Sequence, residues 1–127
     1  MDKILVIDDD EMHLKMTNAF LEEKFEVTTA SSANEALDIL QHGYRPNLIL
    51  LDLEMPEIDG WDTYRLLKGI SLLEDVPIVI FSSSSNPEHK ELAEKMGAVD
   101  FINKPCNKNA LAERIEKILH DNDLSSV

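Results

Sequence analysis

KILVIDDD, residues 3–10, sets an apolar run directly against three acids. Three more segments have the same form. Leu48–Leu51 runs into Asp52, Ile78–Phe81 into Ser82, and Val99–Ile102 into Asn103 and Lys104. Short runs of Ile, Leu and Val separated by helical patterns read as parallel strands buried on both faces. Ligands of open α/β sheets sit outside the carboxyl ends of the strands. Acids, a hydroxyl and an ammonium from four distant segments are therefore expected on one sheet edge.

The intervening segments carry helix signals. Met12, Met16, Ala19 and Phe20 recur at helical spacing and predict a helix over about Glu11–Glu23. Phe25–Ala30 alternates as a second strand. Ser32 with Glu35 forms a capping-box pattern, and Ala36, Leu37 and Leu40 share the face of a helix that stops near Gly43. Pro46 precedes a third strand, Asn47–Asp52, and Met55 to Gly60 reads as a loop. Trp61, Tyr64, Leu66 and Leu67 suggest a third helix. Val76 and Pro77 open a fourth strand. Asn86 and Pro87 suit the cap and first turn of a fourth helix ending at Gly97. Val99–Asn103 is the fifth strand. Asn107 caps a last helix whose face is Leu111, Ile115, Ile118 and Leu119.

Strict strand–helix alternation predicts a parallel sheet with right-handed crossovers and helices on both faces. Five units are too few for an eight-unit barrel. The expected fold is a doubly wound α/β sheet of five strands with the flavodoxin-like order 2-1-3-4-5. Residues 1–121 form the domain, and 122–127 are expected as a short polar tail that frays.

The chain has 127 residues, enough for one core. Hydrophobic residues make up 43 %, which favours a globular fold over disorder. No apolar stretch is long enough to span a membrane and no signal-peptide pattern opens the chain, so a cytoplasmic location is expected. The single cysteine, Cys106, excludes an internal disulfide. Twenty-five acids against 12 Lys plus Arg give a formal charge of −13, which disfavours nucleic acid and favours a cation or protein partner.

Taken singly, Asp8–Asp10 reads as a helix-capping turn, Ser82 as a loop serine and Lys104 as solvated surface. Their convergence decides otherwise. Crowded carboxylates repel, and a divalent cation relieves them. Oxygen-only ligands favour Mg²⁺, which also suits phosphate oxygens. Asp52, alone at the end of its strand, is the candidate nucleophile, attacking phosphorus to form an acyl phosphate. Lys104 and Ser82 would neutralise and hydrogen-bond the transferred group. The four histidines, His13, His42, His89 and His120, show no ligand spacing and are expected at the surface.

The strings ILVIDDDE, LILLDLEMPEIDGW, PIVIFSS and DFINKP resemble the receiver domain of two-component response regulators across essentially the whole chain. The resemblance implies Asp52 as phospho-acceptor, Asp9 as a direct Mg²⁺ ligand and Asp8 acting through water. The Glu54 backbone carbonyl would complete the ligands. Ser82 and Phe101 match the switch pair, and a cis Lys104–Pro105 peptide is implied. Ser at 82 and Ser83 depart from the commoner Thr and Ala. Glu54 is expected to slow hydrolysis of the acyl phosphate by charge repulsion. With nothing after the fifth helix, the chain resembles a single-domain, CheY-like regulator.

The resemblance also implies the partners. A histidine kinase or phosphotransfer protein would supply the phosphoryl group. A downstream protein would read the face of the fourth helix, fifth strand and fifth helix, the chain being a monomer or a phosphorylation-dependent dimer. Such a module catalyses only its own phosphorylation and dephosphorylation. Two other readings compete. A Mg²⁺-dependent phosphatase with an aspartyl nucleophile would use the Asp-x-Asp spacing in Asp8–Asp10 but leaves Asp52 unexplained. A flavodoxin-like cofactor binder would need small or hydroxylated residues where the three acids stand.

Overall fold

A computed structural model describes residues 1–53, 60–83, 87–104 and 106–125. Five strands alternate with five helices: β1 (Lys3–Ile7), α1 (Glu11–Leu21), β2 (Glu26–Ala30), α2 (Ala33–Gln41), β3 (Leu48–Leu51), α3 (Gly60–Lys68), β4 (Ile78–Ser82), α4 (Pro87–Met96), β5 (Asp100–Asn103) and α5 (Lys108–Ser125). A 3₁₀ turn, Ser71–Leu73, follows α3. The strands form one parallel sheet in the order β2-β1-β3-β4-β5, as expected.

The apolar runs are buried on both faces, and alternation divides them between two cores. Leu5, Ile7, Ile49, Leu51, Ile78, Ile80 and Phe101 face one side, with Leu40, Tyr64, Leu67 and Ala93 from α2, α3 and α4. Ile4, Val6, Leu48, Leu50, Val79, Phe81 and Ile102 face the other, with Leu14 and Leu21 of α1 and Leu111, Ile115 and Leu119 of α5. Each fully buried Leu or Ile contributes about 1.5–3 kcal/mol.

The caps follow the sequence. Asp10 caps α1, accepting the Met12 and His13 N–H groups at 2.9 and 3.2 Å. Ser32 Oγ accepts the Glu35 N–H at 3.0 Å. The return bond differs from a capping box: Glu35 Oε2 takes the Ser31 N–H and hydroxyl, at 3.3 and 2.7 Å. Gly43 and Gly97 end α2 and α4 at φ +98° and +91°, where a Cβ would be strained. Asn107 Oδ1 accepts the Ala110 N–H at 2.8 Å. Asn86 lies outside the described residues.

Two expectations need correction. The buried face of α1 is Leu14, Thr17 and Leu21, whereas Met12 is 79 % and Met16 42 % exposed. Both sets have helical spacing. Periodicity fixes the spacing of a stripe but not which stripe turns inward, and here the two leucines pack with α5. The second correction concerns the polar tail. Helix α5 continues through Ser125, so the first residues of the tail expected to fray are helical. Asn122 donates to the Asp75 carbonyl at 3.3 Å, giving that last turn a tertiary anchor. No described helix is long and apolar enough to cross a membrane.

Candidate functional site

The register of the central strands assembles the site. Ile7 of β1 is paired with Leu51 of β3, so the next residues, Asp8 and Asp52, leave the sheet side by side. The Asp52 N–H donates to the Ile7 carbonyl at 2.9 Å and the Asp8 N–H to the Ala30 carbonyl at 3.1 Å. Ser82 is paired with Asn103, and the Lys104 N–H donates to the Ser82 carbonyl at 2.9 Å. All four chain ends thus lie on the carboxyl edge, flanking the point where strand order reverses.

The side chains there are buried to a degree that exposed turns do not reach. Asp8 is 2 % exposed, Asp52 6 % and Ser82 fully buried. Buried charges persist only when paired, and Lys104 supplies the partner. Its Nζ forms an ion pair with Asp8 Oδ2 and lies 4.0 Å from Asp52 Oδ2. Beneath it, the Phe81 ring centroid is 5.2 Å away, an aromatic face that favours a cation. The Asp10 carboxylate is held below the usual range, chiefly by the His13 N–H.

Carboxylate oxygens of Asp8, Asp9 and Asp52 all lie within 4.8 Å of one another. Opposite ligands of Mg²⁺ stand about 4.2 Å apart, so small side-chain rotations would bring this set around one ion. The donors are all oxygen, which fits a hard cation, and the acids outnumber the single ammonium. Asp9 is exposed, leaving one side of the set open to solvent.

Of the predicted site residues, Asp8, Asp9, Asp52, Ser82 and Lys104 converge. Phe101 is buried in the core layer that includes Ala93 of α4. Glu54, the Lys104–Pro105 peptide and residues 55–59 lie outside the described residues. One participant went unread. His13 is not a plain surface histidine: its Nδ1 stands 3.3 Å from Lys104 Nζ. The available signal was its place in the first turn of the helix that the acidic turn caps.

Comparison with known proteins gives a consistent result. The family model described as "Response regulator receiver domain" matches residues 4–116. A CpxR homolog of Haemophilus influenzae, a transcriptional regulatory protein, is 35 % identical over all of this chain and 56 % of its own. A protein of Vibrio cholerae named as a probable cyclic di-GMP phosphodiesterase is 31 % identical over 93 % of this chain and 26 % of its own. The chain therefore spans only about a quarter to just over half of these relatives. A CheY-like receiver domain of Methanospirillum hungatei superposes with a TM-score of 0.86 at 28 % identity, covering 98 % of both chains.

Proposed function

The chain belongs to the response regulator receiver domain family, and from that premise we propose that Asp52 is its phospho-acceptor. A receiver of this family is a phosphorylation-activated switch in two-component signalling. The observation that carries the assignment is a buried Asp52 carboxylate beside Asp8, with the Lys104 ammonium 4.0 Å away. A carboxylate in that position is both a nucleophile and a group whose new charge has a waiting counter-ion.

In the reaction, an Asp52 oxygen attacks phosphorus and forms an O–P bond as the donor's N–P bond breaks. The leaving nitrogen keeps the electron pair and is protonated. Lys104, still paired with Asp8, then extends a further hydrogen to the phosphoryl oxygens, and the Ser82 hydroxyl donates to them. Asp8, Asp9 and Asp52, with the Glu54 carbonyl, would hold Mg²⁺. When bound, that ion supplies further charge neutralisation at the phosphoryl oxygens.

The donor is a phosphohistidine of a kinase or phosphotransfer protein. Ser82 and Phe101 relay the change to the face of α4, β5 and α5, where a downstream protein or a second copy reads it. Residues 1–121 form the receiver unit, with the last turn of α5 extending into the tail, and the unit works in the cytoplasm. The only covalent chemistry assigned to this chain is its own phosphorylation and dephosphorylation. The phosphatase reading is not favoured, because it leaves the buried Asp52–Lys104 arrangement without a role.

The test is incubation with phosphoramidate and Mg²⁺, followed by intact mass. An adduct lasting minutes is expected. Donor turnover without an adduct would favour the phosphatase, and the absence of both adduct and turnover would contradict the proposal.

A further inference from the structure

His13 is placed at the pocket by the same cap that starts α1. Asp10 Oδ1 accepts the His13 N–H at 3.2 Å, which fixes the residue in the turn above Asp8. The side chain is only 38 % exposed, and its Nδ1 lies 3.7 Å from Asp8 Oδ2 and 3.8 Å from Asp10 Oδ2. Nδ1 lies nearer still to Lys104 Nζ, at 3.3 Å. An ammonium has three hydrogens and no lone pair, so a hydrogen bond between Lys104 and His13 has Nδ1 as its acceptor and the ring proton on Nε2.

Two of the three Lys104 hydrogens are then directed, one to Asp8 and one to His13. An ammonium held at two points cannot turn about its own axis. The third hydrogen is free to serve the Asp52 side, where Oδ2 at 4.0 Å is too far for a direct hydrogen bond. An oxygen of a phosphoryl group on Asp52 would lie nearer. Without the imidazole the rotor loses one of these two anchors, and a group that must be pre-aimed to stabilise developing charge turns more freely.

We propose that His13 is a positioning residue for phosphoryl transfer, aiming the Lys104 ammonium at the phosphoryl group by accepting one of its hydrogens. The inference rests on the reading of Asp52 and Lys104 above.

The test compares wild type, His13→Leu and His13→Asn. Leucine fills similar space with no acceptor. Asparagine can place Oδ1 where the histidine holds Nδ1. Phosphorylation by phosphoramidate with saturating Mg²⁺ is followed by intact mass. His13→Leu should react about tenfold more slowly, with His13→Asn recovering to within about threefold of wild type. Nitrogen-15 NMR of the wild-type imidazole should show Nδ1 unprotonated and hydrogen-bonded, a signature lost in Lys104→Met. Equal rates for His13→Leu and wild type, equally slow Leu and Asn variants, or a protonated Nδ1 would each overturn the role of His13 alone. Wild type that takes no phosphoryl group on Asp52 would instead overturn the reading beneath it.

Discussion

Lys104 Nζ is paired with Asp8 yet stops 4.0 Å short of Asp52 Oδ2. One ammonium serves two buried carboxylates, in direct contact with Asp8 and at longer range from Asp52. The arrangement places a positive charge beside any group carried on Asp52. It also makes Lys104 a structural element before any phosphoryl group arrives.

Replacing that ammonium should therefore destabilise the fold. Lys104→Met removes the ammonium from beside buried Asp8 and Asp52, a loss of about 3 kcal/mol for a broken buried pair. Denaturant unfolding without divalent ions measures it. Mg²⁺ should restore more stability to the variant than it adds to wild type. A variant as stable as wild type would mean that the acids are solvated in solution.

Mg²⁺ itself should raise the melting temperature of the wild-type protein, because it relieves repulsion among three acids and binds only the folded chain. The affinity should be modest, since the carboxylates form no complete cage. Asp9→Ala should abolish the Mg²⁺-dependent rise. Equal stabilisation of Asp9→Ala and wild type would remove Asp9 from the ligand set.

Ser82 is fully buried at the end of β4, next to the chain that carries Lys104. Ser82→Ala should still accept phosphoryl but couple it poorly to partner binding. A switch from 1:99 to 99:1 needs about 5.5 kcal/mol of differential stabilisation, too much for Lys104 alone. Binding of the phosphorylated variant to its downstream partner reads the effect. Unchanged affinity would take Ser82 out of the switch.

Tyr64 ties two helices together, its hydroxyl donating to the Met96 carbonyl at the end of α4 at 2.9 Å. Tyr64→Phe should cost about 1 kcal/mol by leaving that carbonyl without its partner. Burial pushes the Tyr64 hydroxyl above its ordinary value of 10.0. The folded state therefore holds this proton longer than the unfolded state does. Its contribution is complete below pH 10 and is lost as pH rises through the folded value. Tyr64→Phe should flatten part of the alkaline loss of stability in denaturant melts. An unchanged alkaline slope would contradict the assignment.

The middle of the sheet was legible because strands buried on both faces cannot hide: β1, β3 and β4 are each an apolar run, and the end is marked by the first polar residue. Asp8, Asp52 and Lys104 were legible for the same reason. The caps at Asp10 and Asn107 were readable as local chemistry, although the part of Asp10 in placing His13 was not. The phase of α1 was not legible, because Met12 and Met16 repeat as regularly as Leu14 and Leu21. Nor was His13, whose partner Lys104 lies 91 residues away in sequence. Contacts between distant segments depend on register, and only the assembled sheet sets it.

The central claim is that Asp52 alone carries the phosphoryl group. Its most direct test is peptide mapping of protein treated with phosphoramidate and Mg²⁺, beside Asp52→Asn treated alike. The account predicts one hydroxylamine-sensitive phosphate in wild type, on the peptide containing Asp52. It predicts none in a folded Asp52→Asn protein. A hydroxylamine-sensitive phosphate on the Asp52→Asn chain would contradict it.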